Sequence, residues 1–367
     1  MIAYLDHAST SPLRPAALAA MEPFLREHFG DPGRLHTPGR TTRVAVETAR
    51  EQVADFVAAR PREVVFCASG TEAINHALWG VVGRVVTTAV EYSAVHAALE
   101  RRDGDVVTVG VDGTGRVDRD AAVDTIRGGD AVAPAAFVSV QLANHEVGTV
   151  HELGAIIEAA HAVGAVVHVD ACAAIGYVPI SFRELGADLM SITAHKFGGP
   201  LGVGALVIRR GLRVPSLVVG GAQERGRRAG MENVPAIVGF GATCGVVDIA
   251  AEATRSRALV DRAWQGISAI SGVRRFGTGD LPNVLCLGVD GVEAEPILLG
   301  LDQHGVAVHS GSACSSETWE PSPVLEAMGI DAQHSLRASV GWTSTMDDVD
   351  RFVDAFAVVV DRLRALR

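Results

Sequence analysis

The sequence predicts an α/β protein: a mostly parallel sheet between helices, with a smaller α+β unit attached. Three observations carry that expectation. Between about residues 60 and 210, short β-branched apolar runs alternate with amphipathic helical stretches. Beyond about residue 270 that rhythm gives way to a mixed pattern of isolated strand-like and helical segments. The chain has 367 residues with 48% hydrophobic content, enough to bury a large core and a second, smaller one.

The elements follow in order. Residues before about Pro12 are extended and too short to fold alone, so they should pack onto the smaller unit or the junction. Val64–Cys67, Val85–Thr88, Val106–Val109, Phe137–Gln141, 166–169, 189–192 and 205–208 read as buried strands, and 72–79 and 153–163 as helices between them. From Val234-Pro235 an Ala-rich helical region runs to about residue 270. Strand-like 283–287, helical 293–303, strand-like 336–341 and a terminal helix from Asp347 complete the chain. On this reading 13–250 form the large domain, while 1–12 and 251–367 form a small domain carrying Cys314. Ligands should gather where the strands of the parallel sheet end.

Composition excludes several functions. A net charge of −11 spread without basic runs gives no electrostatic footprint for nucleic acid. The start Met-Ile-Ala-Tyr-Leu-Asp-His lacks a basic segment followed by an apolar one, and no run reaches the roughly 18 apolar residues of a spanning helix. The expectation is a cytoplasmic protein without a membrane partner. The 13 histidines show no His-Glu-x-x-His pattern and the 5 cysteines no paired zinc spacing, so no metal is expected. Cys314 stands apart from the other thiols because it sits in the small, polar run Ser310-Gly311-Ser312-Ala313-Cys314-Ser315-Ser316.

Three strand-end loops carry chemistry. Lys196 follows a strand in a Gly/Pro-rich turn, flanked by Thr193 and His195, and can bond an aldehyde covalently. Ser69-Gly70-Thr71-Glu72 closes another strand and opens a helix, where backbone N–H groups suit a phosphate. Asp170, in His168-Val169-Asp170-Ala171, ends an apolar strand, where a carboxylate would keep a pyridine nitrogen protonated. Singly, the lysine reads more often as a solvated surface charge and the aspartate as a turn or cap residue, while the helix start reads equally as an ordinary capped one. Jointly they are the requirements of pyridoxal 5′-phosphate.

An ordered series of motifs then supports a resemblance. Tyr4-Leu5-Asp6-His7-Ala8, Leu35-His36 with Gly39-Arg40, Gly70-Thr71-Glu72 with Asn75, Ala143-Asn144-His145-Glu146-Val147-Gly148, His168-Val169-Asp170-Ala171, Ala194-His195-Lys196, Gly220 to Arg225, and Ser310 to Ser316 run nearly end to end. The sequence resembles the cysteine desulfurases, fold-type I pyridoxal-phosphate enzymes grouped with the class V aminotransferases, and its short cysteine loop resembles their class I branch. The resemblance implies that Lys196 holds the cofactor as a Schiff base and moves the substrate Cα proton. It further implies that Asp170 pairs with the pyridine nitrogen, that Gly70, Thr71, Thr193 and His195 serve the phosphate, and that Asn144 contacts the cofactor phenolate or substrate. Arg337 would take the substrate carboxylate, a task for a planar bidentate donor. Cys314 would accept sulfur from L-cysteine, leaving alanine and a persulfide for a second acceptor protein, in a homodimeric enzyme.

Departures cluster at the cofactor. Glu91-Tyr92 stands where the family has Glu-His, so Tyr92 would cover the ring with a phenol that titrates near pH ~10. Ala173 replaces a glutamine that donates to the phenolate, Met231 replaces a phosphate-binding threonine, and Asp31-Pro32-Gly33 replaces Asn-x-Ser. Each lost hydrogen bond costs on the order of 1 kcal/mol, so a divergent desulfurase is expected. The alternatives are a carbon–sulfur or carbon–selenium lyase or aminotransferase-like enzyme without persulfide relay, and a non-catalytic interaction subunit.

Overall fold

The computed structural model describes residues 2–310 and 321–366. The chain opens with β1 (Ala3–Tyr4) and then builds a seven-stranded sheet from β2 (Val64–Cys67), β3 (Val85–Thr88), β4 (Val106–Val109), β5 (Phe137–Gln141), β6 (Val166–Asp170), β7 (Leu189–Thr193) and β8 (Gly204–Ile208). The spatial order is β2-β8-β7-β6-β5-β3-β4. Only β8 runs against its neighbours β7 and β2, so the sheet is mostly parallel.

Both faces of the sheet are covered, which is why its strands are mostly apolar instead of alternating strictly with polar residues, and why interior polar groups such as Ser139, His168 and Ser191 bond one another. The period of two still sorts the side chains. Val64 and Phe66 join one core with Val138, Val167 and Ile192, whereas Val65 and Cys67 face the other with Ile74, Leu78 and Leu206. Two strands run one residue past their apolar stretch, to Asp170 and Thr193, because the backbone pairing continues through Gln141↔Asp170 and Thr193↔Gly204. Apolar periodicity cannot mark an end where the last ladder position is polar.

A second sheet, ordered β12-β13-β10-β9, contains β9 (Val273–Phe276), β10 (Val284–Val289), β12 (His309–Ser310) and β13 (Ser335–Ser339), all antiparallel. The helices Ile249–Ile267, Ala294–Gln303 and Met346–Ala365 flank it, packing Leu259, Leu301, Phe352 and Phe356 against Leu285, Leu287 and Leu336. Strand β1 pairs in parallel with β11 (Val306–Ala307), and Ala3 and Leu5 enter this smaller core. The N-terminal segment therefore starts on the small unit and crosses toward the large one, where the Ser11 N–H donates to the His195 carbonyl at 2.8 Å.

One expected element is divided. The helical stretch from Val234 is two helices, Val234–Val246 and Ile249–Ile267, that meet at 80°. Asp248 caps the second, its carboxylate accepting from the Ala251 N–H at 3.0 Å. With neither Gly nor Pro at the break, composition alone read through it.

Candidate active site

The carboxyl ends of β2, β3, β5, β6 and β7 share one edge of the large sheet, and a cavity of about 210 Å³ lies there. Gly70, Thr71, Tyr92, Asp170, Thr193, His195, Lys196 and Arg337 all line it. Residues from five strand-end loops and from both sheets thus meet in one place.

The cup is the start of the helix Gly70–Leu78. Ser69 caps it, with Oγ accepting from the Glu72 N–H at 3.1 Å, while Glu72 reaches back to accept from the Ala68 N–H at 2.8 Å. First-turn N–H groups have no carbonyl within the helix, so those of Gly70 and Thr71 suit an anion. Arg228 forks onto Glu72 at 2.8 and 3.1 Å. Burial opposes the Glu72 charge, but Arg228 and the Ala68 N–H outweigh it and hold the carboxyl below its ordinary range. Gly70 leaves needed space: a Cβ there would come within 2.7 Å of Cys172 Sγ.

Asp170 is buried, and its Oδ1 accepts from the Cys172 N–H at 2.9 Å. Burial pushes its carboxyl up, against the opposing pull of the Cys172 donors, His145 and Lys196. An ionised carboxylate there calls for a cation, and a protonated ring nitrogen is one. Lys196 sits in the single-turn helix His195–Phe197, its ammonium donating to the Ala8 carbonyl. Burial, then the nearby Arg337 charge, lowers the Lys196 pKa to about 8, which favours the neutral, nucleophilic amine. His195 Nδ1 lies 2.9 Å from Thr193 Oγ1, and burial followed by the Lys196 charge lowers its pKa to about 4. His195 is therefore a neutral hydrogen-bonding group.

These groups fit pyridoxal 5′-phosphate. Lys196 would hold the aldehyde carbon, Asp170 the ring nitrogen, and the Gly70–Thr71 cup with Thr193 and His195 the phosphate. The glycine clearance and a buried carboxylate in need of a cation are the observations that make the fit specific.

Other expectations fall out differently. Asn144 is not among the lining side chains: it is fully buried, its Nδ2 donates to the Val90 carbonyl at 3.1 Å, and its Oδ1 accepts from the Glu146 and Val147 N–H groups at 2.9 and 2.8 Å. Its amide shapes the loop. The neighbouring His145 lines the cavity instead, with its ring centroid 5.2 Å from that of Tyr92, edge to face. Cys314 lies outside the described residues. Ala173 lines the cavity, whereas Met231 is 61% exposed and does not. Sequence reasoning passed over His145, Cys172 and Gln141, which also line the site. Gln141 was legible as the polar end of an apolar strand, and His145 as the neighbour of a singled-out asparagine.

Residues 3–352 match the family described as aminotransferase class-V. A cysteine desulfurase of Cereibacter sphaeroides is 40% identical over 99% of this chain and 97% of its own length. The cysteine desulfurase IscS of Dictyoglomus turgidum is 38% identical, covering 99% of this chain and 95% of its own. Among solved structures, a NifS-like protein superposes with a TM-score of 0.90 at 29% identity, covering 99% of this chain and all of the other.

Proposed function

Because the chain belongs to the class-V aminotransferase family, whose members depend on pyridoxal 5′-phosphate, we propose that it is a cysteine desulfurase that converts L-cysteine to L-alanine and a persulfide on Cys314. The observation that carries this reading is the meeting of Lys196, Asp170, the Gly70–Thr71 cup and Arg337 around one cavity.

When bound, the cofactor supplies an electron sink for the pair left on the substrate Cα once its proton is removed. Arg337, 1% exposed, holds the substrate carboxylate and so orients Cα toward Lys196. The Lys196 amine takes the Cα proton and later returns one. Asp170 would hold the ring nitrogen as an ionised carboxylate. The Cys314 thiolate attacks the substrate sulfur: an S–S bond forms as the Cβ–S bond breaks, Cβ keeps the electron pair and takes a proton, and the sulfur remains on Cys314. A second protein then receives that sulfur. The working form is a cytoplasmic homodimer. Supporting the dimer, Phe29 and Leu35 stand 87% and 82% exposed in one loop, apolar side chains that a second copy would cover.

The test is turnover of L-cysteine to alanine by the loaded enzyme and by Cys314→Ala. Wild type should yield alanine with a persulfide trapped on Cys314, and the variant should yield neither. Full alanine production by Cys314→Ala would leave a lyase without relay.

A further inference from the structure

Arg337 is already occupied. Its Nη2 donates to Asp6 Oδ1 at 2.9 Å and to Ser9 Oγ at 2.8 Å, and its Nη1 to the His145 carbonyl at 3.0 Å. Its Nε, buried in the cavity wall, has no hydrogen-bond partner among the described residues. A guanidinium offers five N–H groups, and a carboxylate forks onto it through two adjacent ones. The edge containing the open Nε–H is completed only by Nη2, and both Nη2 protons are taken by Asp6 and Ser9.

Resting on the reading of Arg337 as the seat of the substrate carboxylate, we infer that Asp6 is the carboxylate's intramolecular stand-in, and that amino-acid binding exchanges Asp6 and Ser9 for the substrate on Arg337. The exchange is physically balanced. A guanidinium that is 1% exposed needs a counter-charge before substrate arrives, and Asp6 provides it. Asp6 itself keeps 17% side-chain exposure and accepts from Ser9 Oγ at 2.9 Å, so it can return toward water when displaced.

The same segment reaches the lysine. Ala8, two residues beyond Asp6, accepts from the Lys196 ammonium, and Ser11 Oγ donates to the Lys196 carbonyl at 3.1 Å. The Asp6 charge also raises the Lys196 pKa against burial and Arg337. Asp6 is thus a specificity-determining positioning residue: it sets how strongly a carboxylate must bind to be admitted, and it acts on the lysine through charge.

The experiment is calorimetric titration of the pyridoxal-phosphate-loaded protein with L-alanine, and with ethylamine as the same ligand without its carboxylate, in wild type, Asp6→Asn and Ser9→Ala. Asp6→Asn should bind L-alanine about five- to tenfold tighter with ethylamine unchanged, and Ser9→Ala should shift the same way by less. The pH profile of borohydride fixation of pyridoxal phosphate on Lys196 of the apo-protein should also move to lower pH in Asp6→Asn, which a purely structural role would not cause. Weaker or unchanged L-alanine binding in both variants, or an equal change for ethylamine, overturns the inference. If Asp6→Asn does not load cofactor, Ser9→Ala decides it. Binding is read without turnover, so an enzyme that made no alanine from cysteine would fail the desulfurase reading and leave this one standing or falling on its own titration.

Discussion

Cys172 Sγ occupies the space that a side chain on Gly70 would need, since a Cβ there would come within 2.7 Å of it. The Cys172 N–H donates to the carboxylate of Asp170 at 2.9 Å, helping to oppose the effect of burial on that group. One residue therefore ties the phosphate cup, through its sulfur, to the ring-nitrogen acid, through its backbone N–H.

Gly70→Ala is accordingly expected to push the Cys172 side chain out of its place beside the cup and weaken cofactor binding by about tenfold, on the order of 1 kcal/mol. Adding Cys172→Ala should recover most of the loss, because the double variant has room for the new methyl group. Absorbance titration of the apo-protein with pyridoxal phosphate reads both. Losses that simply add would place the effect elsewhere.

Lys196 has a pKa lowered to about 8 from 10.5, so its neutral fraction grows as pH rises through about 8. Borohydride fixation of pyridoxal phosphate on the apo-protein should therefore have its midpoint near pH 8 and vanish in Lys196→Ala. A midpoint near 10 would mean that burial does not govern this amine.

Arg50 and Glu224 form a buried pair at 2.6 and 2.7 Å, and Glu224 Oε2 also accepts from the Phe66 N–H at 2.9 Å, just upstream of the cup. Removing one partner strands a buried charge. Glu224→Gln should lower unfolding free energy by about 3 kcal/mol, and replacing both partners with apolar residues should cost less. Urea denaturation of the three proteins checks the order.

His168 bridges Ser139 Oγ at 3.0 Å and Ser191 Oγ at 2.9 Å, each of the three lying two residues before Gln141, Asp170 or Thr193 on its own strand. Burial lowers its pKa to about 3 from 6.5. Between those values the unfolded chain takes up a proton that the folded one refuses, so the contribution to stability is full above about pH 6.5 and is lost as pH falls toward 3. At pH 5 the loss is roughly 2 kcal/mol. His168→Gln should flatten that slope in unfolding curves taken from pH 7 to 5, and an unchanged slope would assign the acid sensitivity to other groups.

The site was partly legible before folding because its members end apolar strands or open helices. Asp170, Thr193 and Gly70–Thr71 announce themselves by local pattern, and the sheet places them together by topology alone. Asn144 was legible as a polar residue in a motif, but its bonds to Val90, Glu146 and Val147 were not. The His145–Tyr92 ring contact depends on how two separate loops close over the edge of the sheet.

From its sequence the protein has its strands, its alternation of layers, its lysine and its carboxylate, because hydrophobic period and turn chemistry act over a few residues. Tertiary structure alone decided who meets Arg337. Asp6 lies 331 positions away and Ser9 lies 328, and they reach the guanidinium only because β1 joins the small unit and Asp6 bridges to Ser339 beside it. Such a contact leaves no periodic trace in the chain: it is set by the packing of two units against each other, where a buried cation must find its counter-charge wherever the fold brings one.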